Sequence, residues 1–399
     1  HVVECGTDKV LKTSAVYGAN ASGKSNLYRA FEAMQGYVLQ SLNFGGDIGS
    51  AMSVPDFSLA PFVLDMDSRK KEIPFEVFFY HADTQHSYNY GFSIDSVTRI
   101  IREEWLNSKA KTQRKYRQVF YRAAEHDPEF LSEDISAEQQ KIIRTTLNPE
   151  TLLVSLGAKL KIRICELVYR WFARMHLLDY GNPQSSASLL RMMPQKFLEN
   201  DPDEIAEAVR FISTFDTSIN GFESRKVEEN QISGGGYTIF AKHRMNDSAE
   251  ETLLPFNLES AGTQKMLSLY DPIRNTLREG GVLIIDEMND QLHPLLQRSL
   301  ILLFLDPGRN PKNAQLIFTT HDVTLLATNL LRRDEIWIVE KDRKENSSEL
   351  YAITDFKNDT DKCIRKYDCL WKRFLMGEYG GVPQLGKMLI PGLEEIDAE

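Results

Sequence analysis

The eight residues Gly18-Ala19-Asn20-Ala21-Ser22-Gly23-Lys24-Ser25 fit the pattern G-x-x-x-x-G-K-[ST] without deviation. Its glycines let backbone N–H groups close on phosphate oxygens. A helix starting there adds the positive end of its dipole. The phosphates of ATP would rest on Gly18, Asn20, Ala21, Ser22, Gly23 and Asn26. Lys24 is expected to contact the β- and γ-phosphates and Ser25 to ligate Mg2+. Far along the chain, the apolar run Val282-Leu283-Ile284-Ile285 leads into Asp286-Glu287. An apolar strand of this kind delivers two carboxylates to the sheet edge where nucleotides bind. Asp286 would hold the Mg2+ shell, and Glu287 would orient or deprotonate the attacking water. That chemistry is hydrolysis of ATP, with ATP and Mg2+ as cofactors.

These residues need elements to position them. Residues 13–17 read as a short buried strand ending at Gly18, and Asn26 to Leu42 has helical spacing of apolar residues. Strand, glycine loop and helix are the context a phosphate loop requires. Residues 41–72 read as loop. Pro74–Tyr80 and Ser87–Ile94 alternate with period two and suggest an antiparallel hairpin turning near Ala82-Asp83, with further strands at Ile100–Leu106 and Gln118–Tyr121. From about 135 to 230 the pattern turns helical: Ala137–Leu147, a long amphipathic stretch from Leu160 to Leu178, and Asp203–Phe215 after Asp201-Pro202. Strands return at Thr238–Phe240 and Thr252–Leu254. Then Val282–Ile285, Gln315–Thr319 and Glu335–Val339, spaced by helical stretches, give the rhythm of a parallel sheet.

The 399 residues carry 42% hydrophobic and 26% charged residues and a formal net charge of −10. That balance argues against a nucleic-acid coat over the whole surface and leaves room for a local basic patch. No apolar run reaches the roughly 18 residues of a membrane span, so no membrane partner is expected. Cys5, Cys165, Cys363 and Cys369 form no CxxC pair, which favours a reducing cytosol and argues against a Cys-rich zinc site. The chain begins His1-Val2-Val3-Glu4 without an initiator methionine, so further native residues are expected upstream.

Two more motifs complete the set: Ser260-Ala261-Gly262-Thr263, about 25 residues before Asp286, and Thr319-Thr320-His321-Asp322. In this order and spacing the four motifs resemble an ABC-type ATPase head. The resemblance implies an α/β fold: a P-loop NTPase with a mixed sheet and flanking helices, an antiparallel β subdomain and a helical insertion. It divides the chain into 1–134 (phosphate loop and β subdomain), 135–234 (helical insertion) and 235–399 (signature, acidic pair and switch histidine). It makes His321 a catalytic contact to the γ-phosphate beside Lys24 and Glu287, and Asp290 the candidate of the D-loop that follows the acidic pair. It makes Ser260, Gly262 and Thr263 a signature that reaches ATP held by a second copy, hence a homodimer or higher homo-oligomer around sandwiched ATP. Glu259 stands where transporter signatures carry leucine. No glutamine can be named for the Q-loop of such heads, since Gln85 lies near a hairpin turn, and no adenine-stacking aromatic is assigned. His293, before Pro294, and Asp322 read as structural residues, the latter as a helix cap.

Tyr17–Leu27, Pro61–Lys70, Tyr90-Gly91-Phe92, Glu103–Leu106, Asp334–Lys341 and Gly377–Pro383 are similar to the RecF/SMC-like ATPases of bacterial anti-phage and abortive-infection systems, of the AbiL and PARIS types. That resemblance implies a sensor that holds or releases a nuclease-like effector, with a TOPRIM-type nuclease expected as the partner; the alternative is a RecF/SMC-like ATPase of DNA repair. Lys109, Lys111, Arg114, Lys115, Arg117 and Arg122, with Tyr116, Phe120 and Tyr121 between them, form a basic cluster that keeps nucleic acid open as a ligand. Arg170 and His176 on one helix, and Asp65 with Asp67 in a loop, give weak nuclease signals that the bland readings outweigh.

Overall fold

The computed structural model describes residues 1–44, 61–62, 64–182, 193–227, 236–245, 250–342, 344–356 and 370–383. Cys363 and Cys369 lie outside them. A hairpin of β1 (Val2–Cys5) and β2 (Asp8–Leu11) leads into β3 (Thr13–Gly18) and α1 (Lys24–Gln40). Next come β4 (Ile73–His81), β5 (His86–Ile94), β6 (Ile101–Ala110), β7 (Arg117–Ala123) and β8 (Glu129–Phe130). They form a five-stranded antiparallel sheet in that order. Three helices follow, α2 (Ala137–Thr146), α3 (Leu153–Lys159) and α4 (Arg163–Ala173), and then β9 (His176–Asp179). After α5 (Gln195–Leu198) and α6 (Pro202–Ile212), a second antiparallel sheet joins β10 (Ile219–Val227), β11 (Gly236–Arg244) and β12 (Glu251–Pro255). The chain then alternates α7 (Ala261–Glu279), β13 (Val282–Asp286), α8 (Pro294–Leu305), β14 (Gln315–Thr320), α9 (Thr324–Ala327), β15 (Ile336–Lys341), β16 (Ser348–Ala352) and α10 (Leu370–Leu375).

The central sheet has the order β16-β15-β3-β14-β13-β9. All its neighbours run parallel except β16, which pairs antiparallel with β15. The phosphate-loop strand β3 and the acidic-pair strand β13 therefore flank β14, and all three end at the same edge. Both faces of this sheet are covered, which is why its strands read as continuous apolar runs. Ala15, Tyr17, Ile285 and Phe318 pack with Met266, Leu269 and Phe304 in one core, and Ile284 packs with Tyr37, Phe92 and Phe172 in the other. The fold is thus the α/β mixed-sheet ATPase fold with antiparallel sheets attached. No helix among the described residues is long and apolar enough to cross a membrane.

The stretch from Leu160 to Leu178, expected as one helix, breaks in two. α4 stops at Ala173, and His176–Asp179 runs as β9 beside β13, in register from Leu283↔His176 to Asp286↔Asp179. Pairing with a strand more than a hundred residues away outweighs the local helical period. The same pairing removes His176 from the helix that carries Arg170, so the paired nuclease signal dissolves. Arg170 is exposed and faces Glu166 one turn back. Asp65 accepts from the backbone and hydroxyl of Ser68, a turn contact.

One buried charge ties the β subdomain to the helices. Glu104 in β6 is fully buried. It accepts from the Leu153 and Val154 backbone at 2.6 and 2.9 Å and from the Tyr90 hydroxyl at 3.1 Å. Arg122 lies 3.8 Å away and donates to the Thr151 and Asn148 carbonyls. Burial pushes the Glu104 carboxyl up, and Arg122 and the two amides oppose it.

Candidate functional site

The phosphate loop is the turn between β3 and α1. Two of its residues take left-handed backbone: Gly23 at φ 106° and Ala21 at φ 61°. At Gly23 a side chain would be strained and would also meet Ser348 Oγ at 2.8 Å, so glycine is required there. The Ser22 hydroxyl is buried and has no partner among the described residues. Lys24 is buried and donates to the Gly18 and Ala19 carbonyls at 3.0 and 3.2 Å. Its ammonium also stands 3.6 Å from Glu287 Oε1.

The acidic pair arrives at the end of β13. Asp286 is buried and accepts from Thr319 Oγ at 2.5 Å, while the same oxygen accepts the Glu287 backbone N–H at 2.8 Å. One threonine on β14 thereby fixes both acidic residues. Glu287 takes φ 51°, rare for a side chain of that size, which aims its carboxylate back across the sheet edge. Its Oε2 lies 3.1 Å from His321 Nδ1. Asn289 accepts from the Thr320 hydroxyl at 2.8 Å and the His321 backbone at 3.1 Å, and its amide reaches the imidazole at 3.0 Å. Lys24, Asp286, Glu287 and His321 are thus gathered at one sheet edge from three parallel strands.

The residues fit a Mg2+-bound triphosphate. The unpartnered Ser22 hydroxyl and the left-handed Gly23 form a cradle that a larger residue would fill, and the buried Asp286 carboxylate is the hard oxygen donor Mg2+ favours. Ser25, at the start of α1, would be the second protein ligand.

The signature lies apart. Ser260 caps α7, its Oγ accepting the Thr263 backbone N–H at 3.1 Å. No hydrogen bond or ion pair among the described residues joins Ser260, Gly262 or Thr263 to Gly18–Ser25. They line instead a cavity of about 660 Å3 with Gln291 and His293, which follow the acidic pair. Asp290, the residue before Gln291, is exposed. His293 caps α8 by accepting the Leu295 N–H at 3.2 Å, and Asp322 accepts the Thr324 N–H at 2.8 Å, as expected of structural residues.

Residues 14–327 match the family described as "AAA domain, putative AbiEii toxin, Type IV TA system". The chain belongs to that family. No curated protein matches it. Among solved structures it is similar to an SmcHead crystallised with the C-winged helix domain of ScpA, at 14% identity over 86% of this chain and 92% of that one, with a TM-score of 0.36.

Within this AAA domain, tertiary contact adds residues that no motif announced. Lys265 in α7 is fully buried. Its ammonium donates to the Asp290 carbonyl, lies 3.5 and 3.4 Å from those of Glu287 and Met288, and sits 4.0 Å over the Tyr180 ring. Burial pushes its pKa down to about 8, against the pull of Asp290 and Glu287. One lysine thereby ties the signature helix to the backbone around Glu287. At the end of β9, Asp179 pairs in register with Asp286 and accepts the Asn182 N–H at 3.2 Å. Burial first, then repulsion from Asp286, raises its carboxyl above the usual range. It sits beside Asp286 at the same sheet edge. Gln85 is in the turn between β4 and β5.

The basic cluster divides. Lys109 is buried against Asp8 at 2.6 Å, and Arg122 is buried beside Glu104. Only Lys111, Arg114, Lys115 and Arg117 of the six remain exposed, at the β6–β7 turn.

Proposed function

We propose that this chain is an ATP hydrolase that works as a homodimer or higher homo-oligomer, each ATP held between two copies. Lys24 and the phosphate loop bind the triphosphate, Ser25 and Asp286 hold Mg2+, and Glu287 takes a proton from the attacking water. His321, aligned by Asn289, senses the γ-phosphate. Ser260 and Gly262 close on the ATP of a second copy, Thr263 stands behind them and fixes Ser260 through its backbone N–H, and Asp290 meets that copy from the run after the acidic pair. One observation carries this reading: Glu287 stands 3.6 Å from Lys24 and 3.1 Å from His321, while among the described residues Ser260, Gly262 and Thr263 make no hydrogen bond or ion pair to these three. A signature that stands apart from its own phosphate loop is free to serve another subunit's nucleotide.

The biological role we infer is a cytoplasmic sensor in bacterial anti-phage defence whose assembly state holds or releases a nuclease-like effector. It is supported by the anti-phage resemblance of the sequence and by the family description, which names a toxin of a toxin–antitoxin system. The test is purification of the native protein with its operon neighbours, with and without ATP. A co-purifying nuclease-like protein is the expected result, and substantial nuclease activity of the isolated chain would sink the partner model. The four exposed cations at the β6–β7 turn favour a second reading, DNA handling. It requires duplex affinity with a steep salt dependence that falls when Lys111, Arg114 and Arg117 are neutralised.

A further inference from the structure

The hydroxyls at the start of α7 are wired to a carboxylate that belongs to no motif. Thr263 is buried, and its Oγ lies 3.1 Å from Asp216 Oδ2 and 2.8 Å from Ser260 Oγ. Asp216 sits in the turn between α6 and β10, where its Oδ1 accepts the Ser218 backbone N–H at 3.1 Å and the Ser218 hydroxyl at 2.6 Å. Burial works against its charge, but these bonds and the one from Thr263 outweigh it and hold the carboxyl below the usual range. An ionised carboxylate only accepts. The one hydroxyl proton of Thr263 therefore goes to Asp216. The contact between the two hydroxyls must then be donated by Ser260, whose oxygen already accepts the Thr263 N–H. Ser260 is exposed, yet its only proton points inward. What it turns outward is a lone pair, and a γ-phosphate oxygen is also an acceptor.

Asp216, Ser260 and Gly262 line the same cavity of about 660 Å3. An anion entering there meets the carboxylate as well as the helix N-terminus. We propose that Asp216 is a latch on the signature: it holds Ser260 in its acceptor orientation, so that a second copy's γ-phosphate engages only when the Thr263–Asp216 bond gives way. This rests on the trans role of Ser260 proposed above. Asp216 is a positioning residue, acting on the phosphate through Thr263 and Ser260.

The chemistry of the amide makes the test specific. In Asp216→Asn, the two Ser218 bonds fix the side-chain oxygen at the Oδ1 position, so the NH2 faces Thr263 and donates to it. The Thr263 proton then turns to Ser260, and the Ser260 proton is released. Thr263→Val frees the same proton from the other end while keeping side-chain volume. Both are built into Glu287→Gln, to prevent turnover, and assembly is measured by analytical ultracentrifugation across protein concentration at saturating ATP–Mg2+. ATP affinity of the dilute monomer is measured alongside. Each variant is expected to lower the half-assembly concentration about a hundredfold, because a symmetric dimer gains one hydrogen bond to a charged group at each of its two sites. Monomer affinity should be unchanged and the double variant no stronger than either single one. A merely structural Asp216 would change thermal stability and leave the assembly constant alone. If Glu287→Gln assembles and Asp216→Asn assembles no better, the latch is wrong and the dimer reading stands. If Glu287→Gln itself stays monomeric in ATP, the trans reading falls, and the latch with it.

Discussion

At the residue scale, the site rests on short bonds between groups that are far apart in sequence. Thr319 donates to Asp286 and accepts from Glu287, so Thr319→Val leaves a buried carboxylate without its donor. We expect that variant to lose ATPase rate by about tenfold to a hundredfold, the usual scale for misplacing a catalytic group; a rate within twofold of wild type would remove Thr319 from the account. Lys24→Ala should lose nucleotide affinity in equilibrium binding. Lys265 gives a pH test. Its folded pKa, about 8, lies below the unfolded value near 10.4. Between those values the unfolded chain binds more protons, so this group makes stability rise with pH from about 8 upward and lowers it by up to roughly 3 kcal/mol below that window. Lys265→Met should abolish this rise in chemical denaturation at pH 7.5 and 10, and should lower the ATPase rate by loosening the backbone at Asp290. Parallel pH profiles for the two proteins would contradict the buried ammonium.

The four motifs were legible because each is contiguous, and contiguity is what a sequence pattern records. Thr319 stood inside the fourth motif, but Asn289, Lys265, Asp179 and Asp216 act across gaps of tens of residues, and a lone Lys or Asp in a chain of 399 residues carries no signal of that kind. Asn289 was the nearest to visible, since it falls within the run after Asp286-Glu287.

At the scale of elements, strands that alternate or run apolar were readable, as in the β4–β5 hairpin and in β13, β14 and β15. β9 was not. Four residues, His-Leu-Leu-Asp, have too little period to compete with the helix before them, and only β13 makes them a strand. The join between the β subdomain and α3 was equally silent, because a Glu on one strand and an Arg on the next carry no mark in sequence of being buried against each other. Glu104→Ala leaves Arg122 buried without its carboxylate and should cost about 3–5 kcal/mol in urea unfolding. Glu104→Gln, which can still accept from the amides, should cost less. Equal costs would show that charge is not what holds the join.

At the scale of the whole molecule, the cis cluster and the signature face different spaces on one chain, linked through Lys265 and the backbone from Glu287 to Asp290. In the proposed dimer this link would couple ATP binding to assembly: a second copy that seats its nucleotide on Ser260 would pull on the helix that holds the backbone of Glu287. The sequence carried the parts of this arrangement through resemblance, whereas the separation of the signature from the Lys24–Glu287–His321 cluster is a property of the folded chain alone.

The most direct test of the shared site is complementation between two inactive variants. Glu287→Gln lacks the base of its own cluster, and Ser260→Ala lacks the hydroxyl it offers a partner. Each alone should bind ATP and hydrolyse almost none. Mixed in equal amounts, they form hybrid dimers in which one of the two sites draws an intact base from one chain and an intact signature from the other. The ATPase rate of the mixture should then rise to about a quarter of wild type. A mixture no more active than its separate components, with both variants folded, binding ATP and exchanging subunits, would contradict a catalytic site built from two chains.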